Sequence, residues 1–168
     1  LPPDRELTVE EIGMIEEALA AAAFRAREAG FDAVQFQCFA GNLFHRFTNP
    51  FLNRRTDRYG GNVENRVRFM TESIAHIKKK AGDDFPIICR IAGMDPIPWG
   101  MGIEYWQEIA AILEKAGVHA LEIYPRWHES REPSVQMCVP RNVFVPVADE
   151  IKKAVTIPVI ANVRINHP

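Results

Sequence analysis

The chain is 168 residues long, with 47% hydrophobic, 10% aromatic and 25% charged residues, the mixture of an ordinary folded domain and not of a disordered or fibrous segment. Its 20 lysines and arginines against 22 aspartates and glutamates leave a formal charge of −2, so no bulk attraction draws it to nucleic acid or acidic lipid, and any anion site must be local. No apolar run reaches the roughly 18 residues of a membrane span, and the first residues lack the basic-then-apolar layout of a signal peptide, so neither membrane insertion nor secretion is expected.

The first element is announced by Thr8-Val9-Glu10-Glu11, whose threonine and glutamate have the spacing of a capping box. It predicts a helix through the alanine-rich stretch to Glu28-Ala29, closed by Gly30 in a left-handed cap. A strand over 33–37 follows. Val63, Val67, Met70, Ile74 and Ile77 then recur at helical spacing up to Gly82, and residues 86–91 read as a buried strand. A third helix is predicted from Ile103 to Ala116 with a strand over 119–124, and a fourth over 147–154 with a strand over 157–162.

This alternation is α/β with a parallel sheet. Because no G-x-G-x-x-G follows a strand, a closed (β/α)8 TIM barrel is favoured over a doubly wound sheet. A complete barrel takes about 250 residues and eight strands, so the chain reads as about four central-to-late βα units of one. It stops where a strand-to-helix loop has just begun, which reads as an excerpt of a longer chain. Four strands alone leave unpaired sheet edges, so a free chain is expected to self-associate as a homo-oligomer.

In a barrel the chemistry sits where strands end, which singles out Gln37, Arg90, the stretch from Tyr124 to His128, and Arg164. Arg90 follows an apolar run in a strand expected to be covered on both faces, and arginine cannot shed its charge on burial. It requires an anion, either a carboxylate such as Asp95 or a ligand. Gln37 either ties down loop backbone or faces a ligand, and Arg164 is either a solvated loop residue or a second anion contact. His128, in Trp127-His128-Glu129, has the titration range to donate a proton. His45, His76 and His119 show no metal spacing and attract no functional reading. Cys38, Cys89 and Cys138 are odd in number and lack the paired spacing of zinc or iron–sulfur ligands, so no metal site is expected here and a reducing cytoplasm is the natural setting.

Residues 55–69, RTDRYGGNVENRVRF, preceded by Asn49-Pro50 and Asn53, resemble the signature of the old yellow enzyme family of FMN-dependent oxidoreductases. Ala29-Gly30-Phe31-Asp32-Ala33-Val34 and Asp84-Phe85-Pro86-Ile87 with Arg90 extend the match over nearly the whole chain. Trp127-His128-Glu129-Ser130-Arg131-Glu132-Pro133, Val139-Pro140-Arg141 and the stretch from Asn162 to Pro168 are similar to the branch of 2,4-dienoyl-CoA and 2-naphthoyl-CoA reductases.

The resemblance implies that residues 1–168 are part of an FMN-binding barrel domain in an ene-reductase, which passes hydride from reduced flavin to the C=C bond of an α,β-unsaturated carbonyl. Its substrate would be an enone or, more specifically, an enoyl-, dienoyl- or aromatic acyl-CoA thioester. NAD(P)H would be the donor, with [4Fe-4S] and FAD elsewhere in the full-length protein. By the same resemblance Arg90 faces flavin N1 and C2=O, Arg164 contacts the FMN phosphate, and His128 lies over the flavin. Phe51, Asn53 and Arg54 fall near the acyl-CoA. Gln37 and Asn42 stand where the family places substrate-contacting residues, with Gln37 and Ala40 in place of the usual polar pair and Asn42 in place of a proton-donating tyrosine; an amide cannot deliver a proton as a phenol does. Those departures leave open a flavin-dependent amine dehydrogenase of the same family, or a non-catalytic flavin-binding or structural half-barrel.

Overall fold

A computed structural model describes residues 5–131 and 136–165. Glu132, Pro133 and the stretch from Asn166 to Pro168, parts of motifs noted above, lie outside the described residues. The described residues form helix α1 (Val9–Glu28), strand β1 (Val34–Cys38), helices α2 (Leu43–Thr48) and α3 (Val63–Ala81), strand β2 (Ile87–Ile91), helix α4 (Ile103–Lys115), strand β3 (Ala120–Ile123), helix α5 (Val145–Lys152) and strand β4 (Val159–Ala161).

The α1 capping box forms as its sequence dictates, with Thr8 accepting from the Glu11 amide at 3.1 Å and the Glu11 carboxylate accepting from the Thr8 amide at 2.9 Å. Gly30 takes φ of 85° beyond the C-cap, where a side chain would be strained. Asn62 caps the start of α3 by accepting from the Asn65 amide at 2.9 Å. Helix α5 begins at Val145, two residues before its apolar pattern starts, because Pro146 fits the first turn, where no amide is needed. The short α2 has no counterpart in the periodicity: six residues are too few to display one, and Asn42 at its head makes no side-chain capping bond.

All strands are parallel and lie in the order β1-β2-β3-β4. Each strand is beside its neighbour in the chain, with no reversal of direction across the sheet. That is the order of a barrel arc; a doubly wound sheet would double back. Side chains alternate across the sheet, so the register sorts them into two rows. One row, Phe36, Cys38, Ile87, Cys89, Ile91, Leu121 and Ile123, is buried in the core shared with the helices. The other comprises Gln35, Gln37, Ile88, Arg90, Ala120, Glu122 and Ile160 and faces the concave side. Ile160 is 43% exposed there.

The turn after β2 is pinned by Gly93. Its φ is 76°, and a Cβ at this position would lie 2.8 Å from Ile123 Cγ2 and 2.9 Å from Val147 Cγ1, inside the packing of β3 against α5. Gly93→Ala in the full-length protein is therefore expected to destabilise it by about 2 kcal/mol, from backbone strain and overpacking together. A lowered urea midpoint with an unchanged transition slope is the result that checks it.

Candidate functional site

The strand register builds a polar row on the concave face: Gln37 of β1 stands beside Arg90 of β2, and Arg90 beside Glu122 of β3. Arg90 Nε donates to Glu122 Oε2 at 2.9 Å. Of the two anions open to Arg90 in the sequence, the carboxylate is therefore present, but it is Glu122 and not Asp95. Asp95 lies past the Gly93 turn, buried against the His45 ring, and its Oδ2 accepts from the Met101 amide at 3.1 Å.

Only the Nε corner of Arg90 is engaged among the described residues. Its guanidinium carbon lies 5.6 Å from the Phe39 ring centroid and 6.0 Å from that of Tyr124, two rings that stack on each other at 4.8 Å. Cation–π attraction holds the group in place while its terminal nitrogens meet no acceptor among the described residues. Gln37, exposed on the same row, is likewise uncommitted among the described residues.

Beside this row the loop after β3 is fastened to the loop after β1. Ala40 and Trp127 form a parallel bridge, and the Trp127 indole lies where a Cβ on Gly41 would come within 3.2 Å of it. Trp127 also packs on His45 at 4.1 Å and on Trp99 at 5.0 Å between centroids. His45 is fully buried: its Nδ1 accepts from the Gly41 amide at 3.0 Å, leaving Nε2 to carry a proton 3.0 Å from Asp95 Oδ1. The histidine that drew no functional reading is thus the keystone of the loop. His128, which did, sits exposed in a tight turn closed by Trp127 and Ser130.

Arg164 follows β4 on a strained path. Val163 and Arg164 have φ of 75° and 59°, left-handed values that cost about 1–3 kcal/mol each for residues other than glycine and are concentrated at functional sites. Arg164 Nε donates to Val139 O at 3.1 Å, and its own carbonyl accepts from the Asn142 amide at 3.2 Å, so the residue fastens the loop before α5 to the end of β4.

Two of the remaining sequence candidates, Asn53 and Arg54, line a separate cleft of about 390 Å³ beside α2, where Arg46 and Arg55 meet Leu43, Phe47 and Leu52; Phe51 and Asn42 are not among its lining residues. Asn53 holds its wall together: Nδ2 donates to Phe47 O and Tyr59 O, each at 2.7 Å, and Oδ1 accepts from the Arg55 amide, so both amide donors are spent within the protein. Arg55 is gripped by Asp57 at 3.0 and 2.5 Å and by Leu7 O at 2.7 Å, beneath the Phe47 and Tyr59 rings. Arg54 donates Nε to Phe51 O at 2.9 Å and is otherwise exposed, as is Phe51. Asn42 is half-buried at the head of α2.

Glu122 escaped the sequence reading, although its signal was the one that marked Arg90: a charged residue amid apolar ones in a strand covered on both sides. A half-buried cation and a buried anion on adjacent strands predict each other. What hid the pair was the register, which no residue of either strand reveals alone.

Comparison with known proteins places this geometry. The model of the NADH:flavin oxidoreductase / NADH oxidase family matches residues 2–168. The metal reductase of Desulforamulus reducens is 43% identical over 163 residues, covering 97% of this chain and 24% of that protein. Cinnamate reductase of Clostridium sporogenes is 35% identical over 183 residues, covering 98% of this chain and 27% of the relative. Among solved structures, 2-naphthoyl-CoA reductase in complex with 2-naphthoyl-CoA superposes with a TM-score of 0.92 at 34% identity, covering 98% of this chain and 25% of that one. The chain thus spans about a quarter of the length of these relatives, and its strands form part of a TIM barrel.

The arginine–aspartate grip in the RTDRYGG loop has a pH signature. Arg55 beside Asp57, with help from the Tyr59 amide, holds the Asp57 carboxyl below the usual aspartate range. A lowered folded-state value contributes stability above the unfolded value and loses it as pH falls through the folded one. Asp57→Asn in the full-length protein should therefore cost about 1–2 kcal/mol at pH 7, after allowance for partial exposure. The difference from wild type should shrink as pH drops below about 4; a penalty independent of pH in denaturant titrations would reject this account.

Proposed function

The chain belongs to the NADH:flavin oxidoreductase / NADH oxidase family, and on that premise we propose that it supplies part of the FMN site of an NAD(P)H-dependent reductase acting on C=C bonds conjugated to a carbonyl. The substrate class proposed is an enoyl-, dienoyl- or aromatic acyl-CoA thioester.

The observation that carries this reading is Arg90: a guanidinium fixed by one corner, flanked by aromatic rings, with its terminal nitrogens presented on the concave face. Such a cation suits a planar ring that gains negative charge on reduction, because it stabilises that charge without reorganising. Arg164, just past the end of β4 two strands away and tied by Nε alone among the described residues, keeps the rest of its fork for a phosphate. Arg90 and Arg164 are thus the residues that would hold FMN, which when bound supplies a hydride for the β-carbon of the unsaturated carbonyl.

The other roles fall to groups around this row. Gln37 has an uncommitted amide to donate to the substrate carbonyl, where charge builds in the transition state. Asn42 lines the approach from α2 and orients substrate without giving a proton. His128 is the proposed proton donor, on a loop whose anchor, Trp127, is buried. The arginine-lined cleft with its apolar wall matches the chemistry of a CoA handle, which carries phosphates beside an apolar pantetheine arm. Asn53 and Arg54 line the cleft that would receive it, and the exposed Phe51, whose carbonyl accepts from Arg54, would meet the acyl-CoA beside it.

We assign the [4Fe-4S] cluster and FAD implied by the resemblance to parts of the protein outside this chain. Cys38 and Cys89 face the helices, and burial pushes the Cys38 thiol up, away from the thiolate a cluster needs. A cytoplasmic setting is proposed on the same family ground, and no described helix is long and apolar enough to cross a membrane.

The test is anaerobic: the full-length protein, reduced with NADH, is mixed with enoyl-CoA, dienoyl-CoA and aromatic acyl-CoA esters while flavin absorbance is followed. Reoxidation by at least one of them is expected, and failure of all of them overturns the substrate assignment. Arg54→Ala should raise KM for the thioester about tenfold, the loss of one charge-assisted contact, and leave kcat within about twofold.

A further inference from the structure

Glu122 is a carboxylate at the centre of the concave face, and it is only 6% exposed. Its Oε2 accepts from Gln35 Nε2 of β1 and Arg90 Nε of β2, and its Oε1 accepts from Asn162 Nδ2 at the end of β4. One side chain on β3 thereby ties together every strand of the described sheet.

The way it holds Arg90 differs from the forked arginine grips that Asp84 and Asp57 make in this chain. Asp84 takes Arg27 through both terminal nitrogens, at 2.6 and 2.8 Å, and the Ala81 carbonyl adds a further bond to Nη1. Asp57 takes Arg55 through Nε and Nη2, with the Leu7 carbonyl on Nη1. These arginines are used up as structural ties. Glu122 instead touches Arg90 only at Nε and spends its other acceptor capacity on two neutral amides that brace it from either side. A carboxylate serving merely to neutralise the guanidinium would take the fork with both oxygens, the stronger arrangement.

We propose that Glu122 is a positioning residue for this site: it aims the free edge of Arg90 at the ligand ring and offsets part of its positive charge, and so lowers the reduction potential of the bound flavin. This rests on the FMN reading above. The sign follows from charge alone. Reduction brings negative charge to the ring, the cation favours it, and a fixed anion one hydrogen bond behind the cation opposes it; inside a weakly screening barrel neither effect is washed out.

The experiment measures the flavin potential of the full-length holoprotein by equilibration with redox dyes under argon. Glu122→Gln should raise it by about 30 mV or more, a tenfold change in the two-electron equilibrium, whereas Glu122→Asp, which keeps the charge, should shift it by less than half as much. Because an unpaired guanidinium can itself unseat the ligand, Glu122→Gln is also read in an Arg90→Gln background, where no cation is left over and the potential should again rise. A merely structural Glu122 would lower flavin content or melting temperature and leave the potential where it was. An unmoved or lowered potential in flavin-loaded protein overturns this assignment while leaving the FMN reading intact; a full-length protein that neither carries nor takes up flavin takes down both.

Discussion

A guanidinium inside a sheet imposes a condition that the rest of the concave face is built to meet. It cannot lose its proton, so the protein must place a counter-charge beside it without consuming its capacity to bind. Here the solution is a single hydrogen bond donated by Nε to Glu122, two aromatic rings along its flank, and a register that sets Arg90 between Gln37 and Glu122. Loss of the carboxylate would leave a half-buried cation unpaired. Loss of the arginine would strand a buried anion. The two are one unit, and they bind strands from successive βα repeats into a common surface.

Around that unit the loops are held by contacts of a different kind. Trp127 seals the joint between the loops after β1 and β3 by lying on Gly41, His45 and Trp99, and His45 is fixed from opposite sides by the Gly41 amide and Asp95. At the far end of the sheet the left-handed Val163 and Arg164 store strain that the Val139 and Asn142 contacts hold in place. Rigid anchors therefore stand next to exposed, reactive types such as His128, so the loops gain direction from buried neighbours and not from their own sequence.

Much of this was legible in advance because the physics is local. The α1 capping box, the Gly30 and Gly82 stops and the apolar stripe of α3 specify their elements within a few residues, and each appears within one or two residues of its expected bounds. Arg90 was legible as a charge amid apolar residues, and Arg164 only by its place after a strand. Glu122, the His45–Asp95 contact and the arginine cleft were not, since each depends on which strand or loop lies beside which, and that is fixed by packing over dozens of residues. The short α2 escaped for a simpler reason: less than two turns carry no period to read. The RTDRYGG stretch was recognisable as a signature, yet its internal logic, with Asp57 and Asn53 holding Arg55 and the loop carbonyls, becomes visible only in three dimensions.

The alternation of side chains along the strands separates two tasks that many proteins mix. Phe36, Cys38, Cys89, Ile91, Leu121 and Ile123 look towards the helices, while Gln35, Gln37, Ile88, Arg90, Ala120 and Ile160 look the other way. Outside the Gln35–Arg90–Glu122 tie, evolution can therefore redraw what the hollow of the barrel accepts by changing concave-face letters of these strands, while the apolar packing is inherited through the letters between. A combinatorial library confined to Gln37, Ile88, Ala120 and Ile160 inherits the same freedom, since it explores new chemistries without reopening the question of whether the chain folds.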